Sequence, residues 1–269
     1  MIFMSQVIKE QIQNLNLIFR LSIYEIKSKY LLHYLGVFWE FLNPTIQLLV
    51  YWLVFGLGIR GGSGDIDGVP YFVWLLTGLT PWFFINRSIN QGSNSVFRKI
   101  SLVSKMKFPV SVLPTIAILS SGFIFIIMSI IMFIILYFSY GINVQIELLQ
   151  LPYYIFSMLV FLFAITLLFS TISVIVRDFQ SLLQQGTRIL FYLSPILWDP
   201  KAFPEFIQSI LKLNPIYYLV SGFRNSILGR EWFFQDIMYT VYFWSLTLLI
   251  LLIGSTIHLK LKSRFVDYI

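Results

Sequence analysis

Two ionisable side chains stand in apolar stretches of this chain, where a charge needs a specific role. Arg87 interrupts the segment WFFINRSINQGSNS, and Glu40 lies about one helical turn before Asn43–Pro44. A guanidinium group suits phosphate oxygens, and it equally suits a carboxylate such as Glu40 on a neighbouring helix; reaching out to the membrane surface is the third alternative for Arg87. Glu40 either lines the mouth of a membrane passage or anchors its helix at the interface. Asn43–Pro44 predicts a helix kink, with gating as a possible consequence.

The residue constellations that enzymes use are missing from the sequence. The only histidines are His33 and His258, and no Ser-His-Asp set, metal-ligand cluster or pair of intramembrane carboxylates is visible. The glycine-rich stretch GGSGDIDG at 61–68 lacks the lysine of a phosphate-binding G-x-x-x-x-G-K-[ST] loop. We therefore expect a protein that is not an enzyme and holds no cofactor, and whose energy comes from another polypeptide or from an ion gradient.

The composition indicates an all-α polytopic membrane protein. Hydrophobic residues make up 58% of the 269 positions and charged residues only 12%, and there is no cysteine for disulfides or thiolate metal sites. Five segments reach the roughly 20 apolar residues of a membrane span, at 36–58, 70–92, 109–139, 152–176 and 236–259. A sixth, at 180–198, is more polar in its first half and is included because it places both termini on one side.

The positions of the basic residues predict the orientation. With the N-terminus inside, the inner segments hold 13 of the 19 Lys and Arg residues and the outer segments hold five. This asymmetry obeys the positive-inside rule, so the net charge of +7 reflects topology and not nucleic-acid binding. The expected location is the cell membrane, with both termini in the cytoplasm.

Two further segments do not fit a simple bundle of spans. Residues 1–33 carry apolar side chains at helical spacing, which predicts an amphipathic helix in the cytoplasmic interface or, alternatively, one packed on protein. The outer segment 199–231 is too apolar for a loop and too broken by Pro204, Pro215 and Gly222 for one span. It predicts two short re-entrant helices, or a pair that lies on the surface.

A basic connection, residues 93–108, separates the second and third predicted spans. It contains Arg98, Lys99, Lys105 and Lys107 but no acidic residue. An apolar stripe at helical spacing predicts a short helix that lies on anionic lipid or docks on a cytosolic partner.

Four blocks of sequence resemble the polysaccharide-exporting ABC transporter permeases. They are YLGVFWEFLNP (34–44), WLLTGLTPWFFIN (74–86), SLVSKMKFPVSVLP (101–114) and LNPIYYLVSGFRNSILG (213–229). Within this family the chain looks most like the teichoic acid translocation permeases, with O-antigen and capsule permeases as cousins. The resemblance implies a six-span permease domain over residues 34–269 that exports a lipid-linked anionic glycopolymer, wall teichoic acid first and O-antigen or capsular polysaccharide as the alternative.

The same resemblance implies partners and the residues that meet them. Residues 93–108 would form the coupling helix, seated in a groove of an ATPase subunit through Arg98, Lys99, Ile100, Leu102 and Val103. Two copies of the chain would pair with two ATPase subunits, which would carry the ATP and magnesium. A gradient-driven secondary transporter is the less favoured alternative, because Glu40 is the one acid near a predicted span and no repeat is evident.

Aromatic residues make up 18% of the chain, and most of them suit an interfacial belt. Sugar rings also stack on aromatic faces. Tyr192, Trp198, Tyr217 and Tyr218, near the outer end of the predicted passage, are therefore the candidates for contact with a glycopolymer, together with Glu40, Asn43 and Arg87 at its inner end.

Overall fold

The computed structural model describes residues 2–30, 36, 38–59, 65–66, 68–100, 108–141, 145–176, 178–262 and 265. Within these ranges the regular elements are helices. The α-helices are α1 (Ile2–Gln13), α2 (Leu15–Tyr30), α3 (Phe38–Tyr51), α4 (Tyr71–Ser93), α5 (Ser95–Arg98), α6 (Val112–Tyr140), α7 (Leu151–Ile175), α8 (Phe179–Leu193), α9 (Glu205–Lys212), α10 (Pro215–Leu228) and α11 (Ile237–Leu261). The helix α3 continues as a π-helix over Trp52–Ile59, and short 3-10 turns cover Ile146–Gln150 and Pro200–Ala202.

Four described helical segments are long and apolar enough to cross a membrane: Phe38–Gly58, Val112–Phe138, Ile146–Ile175 and Ile237–Leu261. They correspond to the first, third, fourth and last of the predicted spans. The helix at the second predicted span, α4, has sufficient length, but Asn86, Arg87 and other polar residues lower its mean hydropathy. At the predicted sixth segment, α8 has only 15 residues, fewer than the roughly 20 that a span requires. The chain is a multi-pass membrane protein, and a count of six spans stays a prediction.

The helix α4 lies at the centre of the bundle. It packs against α6, α7 and α10, and most of its first half is buried. Its approach to α7 is close because residue 92 is glycine: a Cβ there would lie 2.7 Å from Thr166 Cγ2. Because α4 is surrounded by protein, it can carry polar side chains that a lipid-facing helix could not.

The N-terminal helices α1 and α2 present two different apolar faces. Ile12 and Phe19 are 63% and 65% exposed, on the stripe that predicts contact with lipid. Val7 and Ile18, on another face, are fully buried against the bundle. Packing on protein is thus observed for one face, and contact of the exposed stripe with the membrane interface stays a prediction.

The outer segment after α8 forms two short helices, α9 and α10. The second is delimited by local signals in the sequence: the Asn214 side chain accepts a hydrogen bond from the Ile216 amide, Pro215 occupies the first turn, and Gly229 ends the helix with φ +64°. Buried residues of α10 join the main core. Two helices in this segment match the expectation; their depth in a membrane stays a prediction.

Candidate functional site

The predicted site residues that the structure describes fall into two regions at opposite ends of α4, which we name after the predicted orientation. The inner junction comprises α1, α2, residues 95–100, the start of α6, and the side chains of Glu40, Asn43 and Arg87. The outer cap comprises residues 192–236 together with the side chains that line the cavity beneath them.

In the inner junction, Arg87 of α4 forms a two-pronged ion pair with Glu40 of α3. Arg87 Nη2 donates to Glu40 Oε1 at 2.6 Å, and Nη1 donates to Oε2. The side chains are only 21% and 15% exposed, so the charges are largely shielded from water. Of the alternatives for Arg87, the structure shows pairing with Glu40. Asn43, one turn further along α3, is exposed.

The described part of the basic connection is a single helical turn, α5, followed by Lys99 and Ile100. Val96 is fully buried, and Ile100 packs against the same apolar cluster as α2 and the start of α6. Phe97, 42% exposed, and the exposed Arg98 lie on the opposite side of the turn. The predicted contact residues Leu102 and Val103 lie outside the described residues.

Ion pairs and hydrogen bonds tie the N-terminal helices to the connection and to the segments around it. Lys99 Nζ of the connection donates to Glu25 Oε1 of α2 at 2.9 Å. Glu10 of α1 accepts instead from Ser111 Oγ, just before α6, at 2.5 Å and from Lys262 Nζ, just after α11, at 3.0 Å. A displacement of the connection would therefore be transmitted to α2 through Lys99.

A cavity of about 360 Å³ opens between α2, α4, α5 and α6. Its lining includes Glu25, Arg87, Arg98 and Lys99. Two of these cations, Arg87 and Lys99, are already paired with the carboxylates of Glu40 and Glu25. Much of the positive charge in the cavity wall is therefore neutralised.

In the outer cap, the four predicted aromatic residues occupy different environments. Tyr192 is exposed on α8, and its backbone carbonyl accepts a hydrogen bond from Trp198 Nε1 at 2.9 Å. Tyr217 and Tyr218 on α10 are buried. Tyr217 and Tyr218 line a second cavity, which lies beneath the outer cap. Tyr192 and Trp198 are not part of its wall.

Arg224 of α10 holds the outer cap to the centre of the bundle. Its Nη1 donates to the carbonyl of Pro195 at 2.7 Å, its Nη2 donates to the carbonyl of Trp74 at 3.1 Å, and its guanidinium lies 3.7 Å from the centre of the Trp74 ring. The side chain fits only because residue 78 is glycine, since a Cβ there would lie 2.3 Å from Nη2. Among the described residues, carbonyl acceptors and an aromatic face solvate this buried cation, and no carboxylate is in direct contact with it.

A chain of hydroxyl groups joins α10 to α7 and α11. Trp244 Nε1 donates to Tyr153 Oη at 2.9 Å, and Tyr153 and Tyr218 share a hydrogen bond of 2.8 Å. Tyr218 Oη also lies 3.1 Å from Thr240 Oγ1. These contacts fix Tyr218 between two long helices.

Beneath the outer cap lies a cavity of about 840 Å³. Aromatic rings, amide side chains and charges of both signs line it, among them Trp74, Gln208, Tyr217, Asn225, Arg230 and Asp236. In the part of the chain that the structure describes, no group of three or more His, Cys, Asp and Glu side chains is arranged to hold a metal ion. The outer cavity therefore suits an organic ligand with both apolar faces and hydrogen-bonding groups.

Phe97 and Arg224 are candidate residues that the sequence interpretation did not select. The spacing of Val96 and Ile100 assigns one face of α5 to the core, so Phe97 had to point elsewhere. Arg224 stands in the apolar helix YYLVSGFRNSIL, and a cation in such a helix requires buried acceptors. Both signals were present, but the partners of Arg224 are 29 and 150 positions away.

Comparison with known proteins places these features in context. Residues 16–228 match the family described as ABC-2 type transporter. The O-antigen export system permease protein RfbA of Klebsiella pneumoniae is 26% identical over 244 residues, covering 90% of this chain and 91% of the relative. The protein of the same name from Myxococcus xanthus is 29% identical over 223 residues, covering 82% and 84%. The inner membrane transport permease YadH of Escherichia coli K12 is 27% identical over 199 residues, covering 69% and 74%.

Proposed function

The chain belongs to the ABC-2 type transporter family, and from this premise we propose that it is the permease subunit of an exporter for a lipid-linked surface polysaccharide. The observation that carries the proposal is the similarity to O-antigen export permeases over about nine tenths of the chain. Each described helix from α2 to α10 overlaps the matched family region.

The polymer we propose is of the O-antigen class. The sequence resemblance put wall teichoic acid first and O-antigen or capsular polysaccharide second, but the relatives whose names state a cargo export O-antigen. This reverses the order of the two interpretations. Wall teichoic acid stays the alternative, because both are glycopolymers that a membrane lipid carries.

We propose an assembly of two copies of this chain with two ATPase subunits that supply the ATP and magnesium. Six spans and cytoplasmic termini complete the proposed topology, with α4 and the segment around α8 as the two spans beyond the four apolar ones. A polar α8 is consistent with a helix that faces a passage and not lipid. In this arrangement α1 and α2 lie in the inner interface with their exposed apolar stripe toward lipid.

The proposed coupling element is the connection 93–108, with Phe97 and Arg98 as its described contact surface. Lys99 would contribute at the edge, and Leu102 and Val103 are proposed from the resemblance alone. Ile100 has a different position, because it packs against the apolar cluster of the inner junction. We expect it to transmit force from the ATPase contact into α2 and α6.

The proposed route for the polymer begins near Glu40, Asn43 and Arg87 and ends at the outer cap. ATP binding would close the ATPase dimer and displace α5, and the Lys99–Glu25 pair would pass this displacement to α2. The ion pair of Glu40 with Arg87 links α3 to α4 at the same level. Opening of that pair would release a guanidinium group for the phosphate of the lipid carrier.

The proposal is tested by reconstitution. The chain is purified with the ATPase encoded in the same cell, and both are placed in liposomes that contain a lipid-linked O-antigen. We expect equal amounts of the two subunits and ATP-dependent movement of the polymer across the bilayer. Phe97→Asp should abolish both the association with the ATPase and the movement of the polymer, while the chain still inserts into the membrane. Polymer movement driven by an ion gradient in the absence of the ATPase would contradict the proposal.

A further inference from the structure

The side chain of Phe265, which lies just beyond α11, is inserted into the inner junction. It is fully buried, and it belongs to one apolar cluster with Ile18 of α2, Val96 of α5, Leu113 of α6 and Val174 of α7. Among the buried members of this cluster that the structure describes, Phe265 has the largest side chain. A residue that follows the last long helix therefore fills space that four other helices share.

Two polar side chains hold the end of α11 against the same region. Lys262 Nζ donates to Glu10 Oε1 of α1 at 3.0 Å. His258 Nδ1 and Thr171 Oγ1 of α7 share a hydrogen bond of 2.8 Å, and the rings of His258 and Phe265 meet edge to face with their centres 5.5 Å apart. The end of α11 is thus fixed to α1 and α7, which keeps the Phe265 ring in its place.

The helix α5 depends on packing of this kind to keep its position. It has only four residues, and a single helical turn is unstable by itself because it fixes several backbone angles for one hydrogen bond. Its position is therefore set by the contacts of Val96, which is fully buried, and of Ile100, which packs against the cluster from its edge. Phe265 is part of the cluster on which both of these side chains rest.

A filled cluster transmits a displacement, whereas a cluster with a void absorbs it. Protein interiors have low compressibility, because few gaps separate their atoms. When a large buried side chain is removed, its surroundings relax only in part and a cavity is left behind. Without the Phe265 ring, Val96 could move toward that cavity while Ile18 of α2 stayed in place.

We infer that Phe265 is a positioning residue for energy coupling, that is, for the transmission of ATPase motion to the membrane helices. It keeps the cluster filled, so that a displacement of α5 moves α2 and α6. The inference rests on the proposed function, because an ATPase must supply the displacement. Since Phe265 is fully buried, it touches neither the ATPase nor the polymer and acts through α5.

The first test measures the position of α5 in the absence of any ATPase. The full chain is placed in lipid nanodiscs, and hydrogen–deuterium exchange is measured by mass spectrometry over residues 95–100. Phe265→Ala should speed the exchange of these amides several-fold, and Phe265→Leu, which refills most of the space, should restore the wild-type rate. The matched control is Phe161→Ala, which removes a buried phenylalanine of α7 from the main core and should leave this exchange unchanged.

The second test measures coupling in liposomes that contain the partner ATPase and the lipid-linked polymer. Phe265→Ala should still associate with the ATPase in equal amounts but should hydrolyse several-fold more ATP for each polymer exported. Phe265→Leu and Phe161→Ala should keep the wild-type ratio, although Phe161→Ala lowers the thermal unfolding midpoint. If Phe265→Ala does not insert into the membrane, Phe265→Val leaves a smaller void and should show the same two changes to a smaller extent.

The inference is overturned if the exchange over residues 95–100 does not change, or if Phe161→Ala changes it as much, because any loss of core packing would then have the same effect. An unchanged amount of ATP per exported polymer would also overturn it. The outcome is separable from that of the proposed function. Faster exchange in a Phe265→Ala chain whose wild type binds no ATPase would support the positioning of α5 by Phe265 and refute the export role. ATP-driven export with a ratio that Phe265→Ala leaves unchanged would do the reverse.

Discussion

The inner junction and the outer cap are held together by different kinds of contact. In the inner junction, ion pairs connect separate helices: Glu40 with Arg87, Lys99 with Glu25, and Lys262 with Glu10. In the outer cap, α10 is held by a buried arginine on backbone carbonyls, by shared hydroxyl groups and by glycines at points of close approach.

We infer that the inner junction can rearrange more easily than the outer cap. Its Lys99–Glu25 and Lys262–Glu10 pairs are partly exposed, and such pairs contribute little to stability and can exchange partners at low cost. The more shielded Glu40–Arg87 pair is the exception, because breaking it leaves a charge in a largely buried position. A buried cation on backbone carbonyls, or a glycine against a ring, lies in a close-packed core that leaves little room for another arrangement. We therefore expect changes at the exposed pairs to affect transport more than stability, and changes in the outer cap to affect stability first.

The largest effect is expected for Gly222→Ala. A Cβ at this position would lie 1.8 Å from Tyr154 Cε1, and the Tyr154 ring is itself packed against Tyr153 and Tyr218. We expect the free energy of unfolding to fall by about 1–3 kcal/mol or more. A lower thermal unfolding midpoint in detergent would measure this change. The matched control is Gly186→Ala, where nothing lies within 4 Å of the added Cβ. Equal midpoints for the two variants would refute the rigid outer cap.

The next effect is expected for Arg87→Ala, which leaves the Glu40 carboxylate without its guanidinium partner. We expect the free energy of unfolding to fall by about 1–3 kcal/mol. Polymer export should fall by a larger fraction than the free energy of unfolding does. Arg87→Lys should restore charge but not the two-pronged geometry, and should recover stability better than export. The control Arg20→Ala removes an exposed arginine and should change neither. Unchanged export in the Arg87→Ala variant would remove the ion pair from the mechanism.

A smaller effect on stability is expected for Tyr218→Phe. The variant loses the hydroxyl that lies between Tyr153 and Thr240, at a cost of about 1 kcal/mol. The thermal unfolding midpoint measures this loss of stability. The control is Tyr24→Phe, which removes the hydroxyl of an exposed tyrosine. If export falls while the unfolding midpoint stays the same, Tyr218 acts on the polymer and not as a fixed support.

The smallest effect on stability is expected for Lys99→Gln. The Lys99–Glu25 pair is about one third exposed on each side, so its removal should cost at most about 1 kcal/mol. Export should nevertheless fall, because this pair connects α5 to α2. The exposed Lys9→Gln serves as the control for loss of a positive charge on the N-terminal helices. If the Lys99→Gln variant loses stability in proportion to its loss of export, the proposed distinction between the two regions is wrong.

The sequence predicted the elements whose signals are local. The apolar stripe of the N-terminal helix, the long apolar helices and the two short outer helices follow from spacing, proline and glycine. Asn214, Pro215 and Gly229 set the ends of α10 by themselves. Such features depend on residues within a few positions of each other, so they can be predicted from the sequence.

Features that depend on distant partners were not predictable. The buried position of Arg224 requires Trp74 and Pro195, which no spacing rule connects to it. The pairing of Arg87 with Glu40 was one of several alternatives because hydropathy does not report which faces of two helices meet. The sequence predicted a helix at 70–92, where α4 lies, but not that other helices enclose it, because hydropathy does not report which elements surround a helix.

We propose that the inner junction faces the cytosol and the outer cap faces outward. Because the chain has no cysteine, Arg98→Cys and Lys201→Cys each introduce a single thiol for labelling with a membrane-impermeant maleimide, in sealed spheroplasts of cells that lack the partner ATPase and so leave Arg98→Cys uncovered. We expect Lys201→Cys to be labelled at once, and Arg98→Cys to be labelled only after the membrane is opened. Labelling of Arg98→Cys in sealed spheroplasts would contradict the topology and the proposed site of ATPase contact.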